Sequence, residues 1–141
     1  LFLIVEASPG AEVPSELDAV GHLLEEEVAG FADAYAERLE RWKRQLDDIR
    51  KNGKRAVLWG AGARGDTFLN AIGINDEIPL VVDLNPRKWG KHMAGTGQQI
   101  HSPEELKTYS PDIVVIANEI YLEEIRGSLR EMGVDAEVLI A

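Results

Sequence analysis

Between Pro14 and Gly53 the apolar residues Val20, Leu24, Val28, Phe31, Tyr35, Leu39, Trp42, Leu46 and Ile49 recur at steps of three or four. Such spacing places them on one stripe of an α-helix. Ser15 suits the N-cap and Gly53 the C-terminal stop. At 1.5 Å per residue the helix would be roughly 50 Å long, more than one face of a small domain covers. The stripe is therefore expected either to break near Gly30 or to meet another chain or domain, with Tyr35, Leu39 and Trp42 as contacts. Ahead of it, the run "LFLIV" from Leu1 to Val5 reads as one strand, ended by Ser8-Pro9-Gly10.

After Gly53 the pattern changes to short apolar runs alternating with helix-like segments. Arg55 to Trp59, Leu80 to Asp83, Gln99 to Ile100, Ile113 to Ala117 and Glu137 to Ile140 are the expected strands. Helices are expected at Arg64 to Ala71, after Ser102 as a cap with Pro103 in the first position and Glu105 at the capping-box position, and at Tyr121 to Met132 before Gly133. This alternation implies an α/β fold: a Rossmann-like parallel sheet with helices on both faces, preceded by a strand and a long helical segment. The expected division is 1–52 for the N-terminal strand and helical segment and 53–141 for the Rossmann-like domain. Ligands of such sheets lie at the carboxyl ends of the strands, where the strand order reverses.

Composition narrows the partners. The net charge is −10, with acidic residues in excess both before and after Gly53. No basic face is available for nucleic acid or an anionic membrane. The absence of cysteine removes disulfides, thiolate metal sites and a cysteine nucleophile, and fits a reducing cytoplasm. No apolar run approaches the ~20 residues of a membrane span. The opening on Leu1 reads as a piece of a longer protein.

The candidate chemistry begins at "VLWGAGARGDTFLN", where a strand leads through Gly60, Gly62 and Gly65 into a helix. In a dinucleotide fold the first glycine turns the chain, the second lets a pyrophosphate approach, and the third lets helix and strand pack. Asp83 ends the second strand where a carboxylate would meet a ribose diol. Within "VVDLNPRKWGKHMAGT" Asn85 follows as a turn former and Arg87, Lys88 and Lys91 place cations beside the strand ends, suited to a phosphate, and Arg64 at the helix start can make a bidentate contact to the same phosphate. Asn118 and Glu119 follow the fourth strand and fall beside the same crevice. His22, His92 and His101 lack metal-ligand spacing, and no triad or carboxylate pair is evident, so neither catalytic nor metal residues are assigned. The candidate ligand contacts are Gly60, Gly62, Arg64, Gly65, Asp83, Asn85, Lys88, Lys91 and Asn118. On these residues alone the loop can hold a dinucleotide, hold another nucleotide or only turn the chain.

The three segments "GKRAVLWGAGARGDTFLN", "VVDLNPRKWGKHMAGT" and "SPEELKTYSPDIVVIAN" together resemble the C-terminal domain of S-adenosylmethionine-dependent C-methyltransferases acting on nucleotide-linked deoxysugars. The resemblance covers Gly53 to about Glu124 well and extends more loosely to the first strand, which resembles the end of the methyltransferase domain. That family carries a cysteine-rich zinc-binding region, a central S-adenosylmethionine-binding domain and a C-terminal Rossmann-like domain that helps hold the nucleotide sugar. Its glycine loop usually ends in Lys-Gly, where this chain has Arg64-Gly65. The charge is kept, but a point charge becomes a planar fork. The resemblance implies a noncatalytic substrate-binding domain. It would have no cofactor of its own, S-adenosylmethionine in the parent, and a nucleotide-linked sugar, the missing methyltransferase domain and a homodimer mate as partners. Two other readings stay open: an NAD(P)-binding domain of an oxidoreductase with Asp83 on a ribose, and a structural dimerisation module built on the helical stripe.

Overall fold

The computed structural model describes residues 15–73 and 76–141, with the side chains of 15–27 and 29 excepted. The strand expected at residues 1–5 lies outside the described residues. The chain divides into two units, Leu1–Arg38 and Leu39–Ala141.

Helix α1 (Ser15–Lys51) runs unbroken for 37 residues, so of the two alternatives for the stripe the break near Gly30 does not occur. A single interior glycine costs about 1 kcal/mol relative to alanine, too little to interrupt a helix with strong formers on both sides. A Cβ at Gly30 would meet nothing within 4 Å. Gly30→Ala is therefore expected to stabilise the helix by about 0.5–1 kcal/mol, seen as greater helical ellipticity retained on heating. The helix ends where Gly53 adopts φ +69°. There the Gly53 and Lys54 N–H groups donate to Arg50 O at 2.9 Å and Ile49 O at 3.0 Å, satisfying carbonyls that the helix leaves open.

Within the unit Leu39–Ala141 the remaining elements are β1 (Ala56–Trp59), α2 (Ala63–Ile72), β2 (Leu80–Val82), β3 (Ile100–His101), α3 (Glu105–Tyr109), β4 (Ile113–Ile116), α4 (Leu122–Met132) and β5 (Glu137–Ile140). All five strands are parallel, in the order β3-β2-β1-β4-β5. The chain winds outward from β1 through β2 to β3, then returns to the other side of β1 for β4. The strand order thus reverses at β1 and β4, which opens a crevice at their carboxyl ends.

Strand residues alternate between two cores. Ala56, Leu58, Val81, Ile113 and Val115 pack with Leu46 and Ile49 of α1 and Leu69 and Ile72 of α2. On the opposite face Val57, Trp59, Val82, Val114 and Ile116 pack with Leu106 of α3 and Ile125 and Leu129 of α4. Helices therefore cover both faces, as the alternation of elements implies. Trp42 is buried in the first core, edge-on to Phe68 at 5.1 Å between ring centroids, and Leu39 packs against that core. Both were expected at an interface with another chain or domain. They serve their own domain instead, because the last turns of α1 cover the sheet.

Two further local expectations shift. The third strand is Ile100–His101, one residue later than Gln99–Ile100. Helix α3 starts after a tight turn in which Ser102 O and Pro103 O accept from Glu105 N and Leu106 N. Glu104, not Ser102, is its N-cap, and the Glu104 side chain caps no helix N–H.

Candidate functional site: a cleft at the carboxyl edge of the sheet

Each glycine of the β1–α2 loop meets a different demand. Gly60 has φ +118°, a conformation that L side chains rarely adopt, and its N–H is fixed to Val82 O at 2.8 Å. At Gly65 an added Cβ would stand 2.2 Å from Gly60 O and 3.3 Å from Leu58 Cδ2, so only glycine lets α2 lie this close to the loop. Gly62 differs from both. It is the N-cap of α2 with φ −111°, open to any residue, and a Cβ there would meet nothing within 4 Å. No side chain caps α2, so its first N–H groups face the cleft without a capping acceptor.

Asp83 directly follows β2 and is 9% exposed. Its Oδ2 accepts from Ala61 N at 2.8 Å and from Lys88 Nζ at 2.9 Å, and its Oδ1 accepts from Asn85 N at 2.8 Å. Burial acts to raise its pKa, but the Asn85 N–H, the Lys88 ammonium and the Ala61 N–H together outweigh burial and hold the carboxyl below the usual aspartate value. Asp83 thereby ties the glycine loop to the turn after β2. The turn itself is a 3₁₀ helix at Pro86–Lys88, capped by Asn85 Oδ1, which accepts from Arg87 N at 3.1 Å. Trp89 Nε1 donates to Asp83 O at 2.7 Å and closes the turn from its far end.

Across the crevice, Asn118 caps a second 3₁₀ turn at Glu119–Tyr121, its Oδ1 accepting from Ile120 N at 3.3 Å. The same oxygen accepts from the Arg64 guanidinium, which links the start of α2 to the loop after β4.

Together these loops enclose a cleft of about 500 Å³. Eight of the sequence-derived candidates line it: Gly60, Gly62, Arg64, Gly65, Asp83, Asn85, Lys88 and Asn118. Lys91 does not. Its backbone pairs with Ile100 and Lys88 where the chain turns back beside β3. The exposed Arg87 and Glu119 also lie outside the lining. The rest of "KHMAGT" serves the fold. Ala94 N donates to Asp66 Oδ1, and Asn70 Nδ2 donates to Ala94 O.

Apolar walls complete the cleft. Leu84 and Tyr121, each about half exposed, line it together with Trp59, Ile116 and Ile125. These were missed in the sequence, although Leu84 and Tyr121 both follow strand ends, and that position is the available signal.

The model of the C-methyltransferase C-terminal domain family matches residues 11–140. The C-methyltransferase NovU of Streptomyces niveus is 29% identical over 140 residues, covering 92% of this chain and 33% of NovU. The chain thus spans about a third of the curated relative it matches. Among solved structures, UDP-D-quinovosamine 4-dehydrogenase from Vibrio fischeri aligns with a TM-score of 0.48 at 24% identity, over 62% of this chain and 76% of that one. The Rex-family repressor RSP aligns with a TM-score of 0.46 at 14% identity, over 77% of this chain and 87% of that one. Because the family model matches nearly the whole chain, with the parallel sheet and glycine loop inside the match, the chain belongs to the C-methyltransferase C-terminal domain family.

Proposed function

We propose that this chain is a noncatalytic domain of an S-adenosylmethionine-dependent C-methyltransferase and helps to hold a nucleotide-linked sugar at the carboxyl edge of its sheet. The segment ahead of Leu39 would lead from the methyltransferase domain and the unit Leu39–Ala141 would form the binding domain, in a protein of the reducing cytoplasm. S-adenosylmethionine and the methyl-transfer residues would belong to the parent's other parts.

The observation that carries the reading is Gly62. Gly60 and Gly65 are glycine because the fold requires it, whereas Gly62 has an ordinary backbone conformation and open space around it. A diphosphate approaching the N-terminus of α2 supplies the reason for glycine there. The character of the cleft agrees with such a ligand. Arg64, Lys88 and the first N–H groups of α2 are donors, and the Asp83 carboxylate already accepts from three donors. An acceptor-rich diphosphate suits this lining. The oxidoreductase reading asks Asp83 to accept from a ribose diol, and Lys88 already bonds one of its oxygens.

Calorimetric titration of the chain with a thymidine-diphosphate sugar, NAD and S-adenosylmethionine tests this. The sugar nucleotide is expected to bind most tightly, and S-adenosylmethionine is expected to give no saturable heat. Arg64→Ala should weaken the sugar nucleotide at least tenfold, through loss of a charge-assisted contact of about 1.5–3 kcal/mol. NAD binding more tightly than the sugar nucleotide would favour the oxidoreductase reading instead.

A further inference from the structure

The apolar stripe of α1 has two fates. In the unit Leu39–Ala141 its members Trp42, Leu46 and Ile49 are buried. In the unit Leu1–Arg38 its members Val28, Phe31 and Tyr35 are 65%, 72% and 41% exposed. The Phe31 and Tyr35 rings stack on each other, with centroids 6.2 Å apart and planes 10° from parallel. An aromatic pair beside a valine at helical spacing is the seam of a packed helix, and contiguous apolar area of this kind marks an interaction surface.

Charge decides between the two candidate occupants. Residues 15–38 carry seven carboxylates, at Glu16, Asp18, Glu25, Glu26, Glu27, Asp33 and Glu37, against one cation, Arg38. Packing this helix on a second copy would bring the two acidic segments to an axis separation of roughly 8–10 Å. That is about one Debye length at physiological salt, so the repulsion would be only partly screened. A surface with an apolar centre and cationic margins has no such penalty.

The second candidate is the rest of the same polypeptide. The matched span is 33% of NovU, which leaves about two thirds of that relative's length outside it. A covalently tethered domain faces the helix at an effective concentration on the order of millimolar, so a modest apolar contact is enough to hold it.

We propose that the Val28–Phe31–Tyr35 face is the docking surface for the remainder of the parent methyltransferase, which meets it with an apolar patch flanked by lysine or arginine. This inference rests on the reading of the chain as one domain of a larger methyltransferase.

Hydroxyl-radical footprinting of Phe31 and Tyr35, in this 141-residue chain and in the intact parent protein, tests it. Light scattering establishes the oligomeric state of each sample. The expected result is that both side chains oxidise rapidly in the isolated, monomeric chain and at least fivefold more slowly in the monomeric parent. Phe31→Ser, at an exposed position, should restore rapid oxidation of Tyr35 in the parent while helical ellipticity is unchanged. Equal oxidation rates in the two proteins would overturn the proposal. Protection that appears only in a dimer and disappears on dilution would overturn it too, in favour of a second copy. Titrating the same samples with a thymidine-diphosphate sugar reads the functional proposal separately, since its failure would leave the footprint standing.

Discussion

Gly65→Ala is expected to destabilise the domain by about 3 kcal/mol, whereas Gly62→Val, three residues earlier in the same loop, costs about 1 kcal/mol or less, the loss of a favourable N-cap residue. The difference comes from what a side chain would meet. At Gly65 the first carbon lands 2.2 Å from a backbone oxygen, Gly60 O, which cannot rotate away. Either α2 must move off β1 or the loop must reopen, and Gly60 is held by its bond to Val82 O. At Gly62 the same carbon enters open space from a backbone with φ −111°. Thermal unfolding followed by circular dichroism reads the first half of this prediction. Ligand titration reads the second: Gly62→Val should lose the sugar nucleotide by tenfold or more while remaining folded. A Gly62→Val protein that is as unstable as Gly65→Ala would mean that the fold alone requires both glycines.

Asp83→Ala should produce the next largest effect, a loss of about 2–3 kcal/mol. It leaves the Ala61 N–H, the Asn85 N–H and the Lys88 ammonium without their acceptor in a largely buried position. The same carboxylate gives stability a predictable pH dependence. Its folded pKa is depressed, so its contribution is fully present above the unfolded aspartate value of about 3.9 and is lost as pH falls through the folded value. Denaturant unfolding at pH 7 and at progressively lower pH should show wild type and Asp83→Ala converging in acid. A constant difference between them across that range would contradict the assigned role. Because Asp83 joins the glycine loop to the turn after β2, its removal should also weaken ligand binding without its touching the ligand.

These two sites also show what was legible in the sequence. The parallel sheet with helices on both faces follows from the alternation of elements after Gly53, whereas the order β3-β2-β1-β4-β5 depends on tertiary packing that alternation does not encode. The glycine loop was legible because strand, glycines and helix are contiguous, and local backbone geometry is what a short segment specifies. Asp83 was legible from its position after β2, but its bonds were not. Its partners Ala61 and Lys88 come together only through tertiary contact, which spacing does not encode. Lys91 looked equivalent to Lys88, but the chain turns at Gly90, where φ is positive, and pairs Lys91 O with Ile100 N beside β3, outside the cleft lining. Gly30 looked like a break because a glycine's helix cost is local, whereas continuation depends on the whole helix. Position after a strand was the one signal for Leu84 and Tyr121, and it does not separate a cleft wall from a core residue.

The proposed site for a nucleotide-linked sugar is the β1/β4 crevice. Amide-resolved nuclear magnetic resonance of the chain titrated with a thymidine-diphosphate sugar tests it most directly, because each N–H reports its own position. Saturable shifts are expected at Gly62, Ala63 and Arg64, with smaller ones at Asn85 and around Asn118 and Tyr121, and little change at the opposite edge of the sheet around Asp112 and Glu137. Shifts confined to that opposite edge, or no saturable shifts at all, would contradict it.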